Sequence, residues 1–155
     1  MARYKFSEDP NGGVGMEIVA SDDNELFNIA ATALCLFMWD QETVEERKEL
    51  PVKELPVSWY GFDLGTTILG LLSELLYRMD DGWVFKRFVI QSLEEVDDLD
   101  ERHRRKQLKV TGTAYGEPYD PERHVKRFPV QAVLLPRLKV SKVEEGMRFY
   151  CVLDA

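Results

Sequence analysis

The sequence predicts an α+β domain in which two helices pack on a largely antiparallel β-sheet. Three observations predict it. Two segments carry apolar residues at helical spacing, seven others read as strands from alternating polarity or from β-branched and aromatic residues, and turn-forming clusters separate most of them. The strand-like segments lie mostly at the C-terminal side, an order that favours antiparallel pairing over repeated strand–helix–strand crossovers. The 155 residues fit one domain spanning 1–155, and 45% hydrophobic with 31% charged residues marks a folded chain.

Residues 2–6 set Tyr4 and Phe6 against Arg3 and Lys5, the alternation of a half-buried strand. Met16 to Ala20 is read as its antiparallel return, with N-G-G-V-G between them. Ser21-Asp22-Asp23 then offers a capping serine and acids for the positive end of a helix dipole. Leu26, Ile29, Ala30, Ala33 and Phe37 follow on one face, so a first helix is expected to end near Trp39. Thr43 to Lys53 is polar and alternating and predicts an edge strand, its pairing limited by Pro51 and Pro56. A second helix is expected from Asp63, with a stripe of Leu64, Ile68, Leu71, Leu72, Leu75, Leu76 and Met79, closed by Asp80-Asp81-Gly82. Gly65 and Gly70 would weaken it, and would also let it approach a neighbour closely. Strands are expected at 83–90, 107–115, 128–135 and 147–154, with turns at Asp97-Asp98, 116–121 and 144–146.

Composition excludes several functions. The longest apolar run, Ile29 to Trp39, is too short to span a bilayer, and no basic-then-apolar leader opens the chain, which points to the cytoplasm. Cys35 and Cys151 stand far apart in apolar segments and read as buried thiols, not a disulfide or zinc pair. A formal net charge of −8 disfavours direct nucleic-acid binding unless the clusters at 102–106 and 123–127 share a face. The first of these follows the acidic run 94–101 and reads as a solvated, charged turn.

Three stretches could carry chemistry. The glycine loop lacks both the lysine of a phosphate-binding loop and a helix behind it, so a tight turn with positive φ is the better reading. The loop G-E-P-Y-D-P-E-R-H, 116–124, gathers Glu117, Asp120, Glu122 and His124. Such a set can bind a divalent cation or work as acid and base; the alternative is a proline-stiffened loop with a local Asp120 turn bond and an exposed His124. Asp154 closes an apolar strand, where it is either a solvated terminus or a source of hard oxygen ligands. A hydrolase using Glu117, Asp120 and His124 stays open at this point, without a visible nucleophile.

Taken in order, the segments resemble the archease family across nearly the whole chain. The resemblance rests on Y-K-F, V-G-M-E-I, D-D-N-E-L-F-N-I-A-A-T-A-L, L-L-S-E-L-L-Y-R-M-D-D-G-W-V-F, G-E-P-Y-D-P-E-R-H, V-Q-A-V and R-F-Y-C-V-L-D-A. It implies an accessory protein and not an enzyme: one that promotes guanylylation and turnover of an RtcB-type tRNA-splicing RNA ligase, or a chaperone-like modulator of a tRNA methyltransferase. It also implies a divalent metal, Ca²⁺ or Mg²⁺, on acidic residues. Carried over, the metal set is Asp9, Glu117 and Asp154, with Asp120 and His124 in the loop or partner site. The chain departs from the family pattern at Gly13, where a second aspartate is expected, at Pro10 and Pro136 in place of histidines, and at Gln131 in place of lysine. A fold that kept its shape and lost its metal would serve as a binding module.

Overall fold

The computed structural model describes residues 2–44, 54–97 and 106–155. Seven strands form two antiparallel sheets, one of four strands and one of three. The first sheet has the order β1 (Arg3–Glu8), β2 (Val14–Ala20), β7 (Gly146–Asp154), β6 (Ala132–Val143). The second has the order β3 (Glu54–Gly61), β5 (Lys106–Pro118), β4 (Trp83–Asp97). Helix α1 (Asp23–Met38) touches β2 of the first sheet and β4 of the second; helix α2 (Leu64–Asp80) touches β6 and β3. The expected α+β architecture holds, with its strands divided between two sheets that the helices tie together.

Local chemistry explains the element ends. Asp22, and not Ser21, caps α1: its Oδ1 accepts the Glu25 N–H at 2.8 Å, while the Ser21 hydroxyl donates to Glu25 Oε2 at 3.0 Å. Asp63 caps α2 with Thr66 in a reciprocal box, Thr66 N–H donating to Asp63 Oδ1 at 2.8 Å and the Asp63 N–H to Thr66 Oγ1 at 3.2 Å. Each of Ile68, Leu71, Leu72 and Leu75 is fully buried. Burial of such a side chain contributes about 1.5–3 kcal/mol, which outweighs the ~1 kcal/mol that each helical glycine costs. The glycines are needed for contact: a Cβ at Gly70 would fall 1.7 Å from Trp59 Nε1, and one at Gly65 3.2 Å from Leu138.

Three expectations about the strands are corrected. Residues 41–43 form a 3₁₀ turn instead of the start of an edge strand, and 45–53 lie outside the described residues. Strand β3 stands at an edge of its sheet and carries Pro56 opposite Thr113; among the described residues it pairs with β5 alone, an edge position that tolerates a proline. Strand β4 runs through the acidic segment to Asp97, with Glu94 opposite Lys109, because cross-strand charge pairing makes a polar strand end tolerable. Residues 98–105, with most of the basic cluster at 102–106, lie outside the described residues. Strand β6 begins at Ala132, later than expected, since Pro129 has no N–H to give a ladder and the Gln131 N–H donates to the Asp154 carbonyl at 2.8 Å.

One apolar core joins both sheets, with Phe27, Leu34, Phe85, Phe88 and Phe149 among its fully buried side chains. Cys35 and Cys151 sit in it as free thiols, each pushed up to about 12 by burial. At one margin Phe6, Phe37 and Phe128 stack in series at 4.7 and 4.8 Å, fastening β1 and the segment before β6 to α1.

Candidate functional site

The loop joining β1 to β2 is shaped by its glycines. Gly12 and Gly13 have φ of 98° and 82°, and the loop closes through Gly12 N–H to the Asp9 carbonyl at 3.0 Å and Asp9 N–H to the Gly13 carbonyl at 3.1 Å. The tight-turn reading therefore stands. A Cβ at Gly13 would lie 2.8 Å from both the Leu153 carbonyl oxygen and Val152 Cγ1, so an aspartate cannot occupy this position in this loop conformation. Gly15 makes a second space: a Cβ there would meet the Tyr150 hydroxyl at 2.4 Å. Removing it lets the Tyr150 ring lie across β2 and reach the loop.

What Tyr150 reaches is Asp9, whose side chain is wholly shielded from solvent. The Tyr150 hydroxyl donates to Asp9 Oδ2 at 2.5 Å; the Asn11 N–H, at 2.9 Å, and Arg137 Nη1 both donate to Oδ1. The Tyr150 hydrogen bond, ahead of the Asn11 N–H and the Arg137 charge, holds the Asp9 carboxyl below its ordinary value against the opposing effect of burial. The same bond raises the Tyr150 phenol. Arg137 comes from β6, where pairing with β7 breaks between Leu134 and Lys139, and its backbone has φ 75°.

A second cluster lies in the 116–124 loop. Glu117 ends β5 opposite Val84 and is 1% exposed. Its Oε1 accepts from His124 Nε2 and forms an ion pair with Arg123 Nη1 at 2.5 Å. His124 Nδ1 accepts the Asp120 N–H at 2.8 Å, which places the imidazole proton on Nε2 and directs it at Glu117. The Asp120 side chain makes the expected turn bond, its Oδ1 accepting the Glu122 N–H at 3.0 Å. His124 is buried, not exposed, between Trp39 and Tyr119. The 123–127 cluster does not present one basic face: Arg123 turns toward Glu117, Lys126 lies over the Trp39 and Tyr119 rings, and Arg127 over Phe128.

The residues of the metal set implied by the resemblance lie on different elements. Asp154 is exposed at the end of β7, near the Asp9 loop because Leu153 pairs with Val14. Glu117 belongs to the other sheet and is engaged with His124 and Arg123. Among the described residues no three His, Cys, Asp or Glu side chains converge on a point that could hold a metal ion. A hard cation wants six or more oxygens, and here the best-placed carboxylate already accepts from a guanidinium, a phenol and an amide. The residues present do not fit a Ca²⁺ or Mg²⁺ site of the implied kind. Arg137, Tyr150 and Arg123 were not identified from sequence. Tyr150 stands in the R-F-Y-C-V-L-D segment that carries the resemblance, whereas nothing local marks Arg137.

These features define a class: a two-sheet α+β protein in which two buried carboxylates, Asp9 and Glu117, are each held in a polar cluster of their own. The family model described as "Archease protein family (MTH1598/TM1083)" matches residues 4–155, and the chain belongs to the archease family. Protein archease of Methanopyrus kandleri is 32% identical over 128 residues, covering 82% of this chain and 81% of that one. Protein archease of Pyrococcus furiosus is 32% identical over 117 residues, covering 75% and 74%. The solution structure of Methanobacterium thermoautotrophicum Protein 1598 superposes with a TM-score of 0.72 at 23% identity over 98% of both chains, a likeness of fold.

Proposed function

We propose that this chain is an accessory protein that binds an RtcB-type tRNA-splicing ligase and promotes its guanylylation and turnover, in the cytoplasm and without a reaction of its own. The observation that carries this reading is the family match over residues 4–155, reinforced by the intact 116–124 loop. Burial supports the non-enzymatic part: His124 and Glu117 side chains are 0% and 2% exposed, so a substrate could not reach the pair that a hydrolase would use. Asp120, with a side chain 46% exposed, is available to a partner together with the exposed Tyr119 and Glu122 of that loop. The test is the rate at which the cognate ligase forms its covalent guanylate adduct from labelled GTP. Saturating amounts of this chain should raise that rate several-fold, and an unchanged rate would refute the role.

A second reading is favoured by one observation, the commitment of Asp9 to Arg137. It makes the chain a binding or chaperone-like module that kept the archease fold, for instance for a tRNA methyltransferase. Protection of such an enzyme from thermal aggregation, with no effect on the ligase adduct, would select it.

A further inference from the structure

We propose that Arg137 is the resident cation of the Asp9 loop, a tethered guanidinium that takes the part a divalent ion would play, so that the loop keeps its geometry without metal. Four independent features converge on this arrangement. Asp9 uses both carboxylate oxygens inside the protein, one for Tyr150 and the other for Asn11 N–H and Arg137. Arg137 is the only non-glycine residue with positive φ among the described residues. Left-handed backbone persists at such a residue where its surroundings over-determine it.

The third feature is the break in β6. Leu134 pairs with Val152 and Lys139 with Tyr150, so residues 135–138 stand opposite Cys151 alone. That excess of chain on an edge strand aims the arginine along the sheet toward Asp9. The fourth is steric: Gly13 and Gly15 leave no room for a Cβ, one because of β7 backbone and the other because of Tyr150. The β7 backbone closes the Gly13 position to a further acidic ligand, and the space beside Gly15 is taken by Tyr150, which completes the arginine site.

The chemistry is self-consistent. A guanidinium keeps its charge at every accessible pH, and tethering supplies it at no concentration cost. A divalent ion would have to displace it and then find most of its oxygens in water.

Two measurements on the purified full-length chain test the proposal. Calorimetric titration with CaCl₂, MgCl₂ and MnCl₂ into the millimolar range should give no saturable heat, and EDTA should leave Tm unchanged. Arg137→Gln should lower Tm by about 2–4 °C for each 1 kcal/mol of coupling lost. That loss should largely vanish in an Asp9→Asn background, since the two residues act on one another. Saturable Ca²⁺ binding abolished by Asp9→Asn would overturn the proposal, and so would strictly additive Tm losses. If Arg137→Gln does not fold, the titration of the unaltered chain still decides.

Discussion

Asp9 and Tyr150 make the stability of this protein depend on pH in a calculable direction. The Asp9 carboxyl titrates below its ordinary value in the folded chain, chiefly because the Tyr150 hydroxyl donates to it. Its contribution is therefore complete above the unfolded value, about pH 4, and is lost as pH falls through the lower folded value. Tyr150 is raised, so its contribution is complete below about pH 10 and is lost as pH rises through the higher folded value. Denaturant unfolding followed between pH 7 and 2 should show the acid loss in the unaltered chain and a flatter acid limb in Asp9→Asn. Equal acid limbs would mean that the Asp9 cluster carries no pH-dependent stability.

The helices and strands show how a locally unfavourable choice is reversed by packing. Gly70 costs helix propensity, yet its missing Cβ is where the Trp59 indole of β3 sits. Gly70→Ala should gain up to ~1 kcal/mol of helix propensity and lose about 1–3 kcal/mol through displacement of the indole. A net fall in the urea midpoint, with a change in Trp fluorescence, is the expected result. A more stable variant would show that the contact is looser than the structure has it. The bulged part of β6 follows the same logic, because its irregular backbone serves Asp9 in the loop between β1 and β2. So does the irregularity of β4 between Ile90 and Ser92, where the Ile90 N–H donates to Asn28 Oδ1 of α1 at 2.7 Å and leaves no donor wasted.

Across the whole molecule, the two sheets share one core, and both cysteines report on its integrity. Cys35 lies in α1 and Cys151 in β7, each buried and each with its thiol pushed up to about 12. Only the thiolate reacts readily, so burial and the raised pKa act together against modification. A thiol reagent at pH 8 should label neither cysteine in the folded chain, and both should react together as the core opens in denaturant. Fast labelling of one cysteine under native conditions would show that its side of the core opens separately.

The amino-acid order alone settles the class of fold, both helices within a residue or two, and most strands. Those readings depend on periodicity and on caps such as Asp63 with Thr66, which are local. It also marks Glu117, Asp120 and His124 as a unit, because nine consecutive residues hold them together. What it cannot rank is which polar groups meet across strands. The resemblance makes Asp9 a metal ligand; in the folded chain Asp9 accepts from Arg137, 128 residues away in sequence. Glu117 and Asp154 look equivalent as acids, yet one is sealed beneath His124 and Arg123 and the other stands in solvent. Those outcomes depend on sheet order, on a bulge and on the absence of two Cβ atoms. Charge pairing is decided by distance in space, and only the tertiary structure sets that distance.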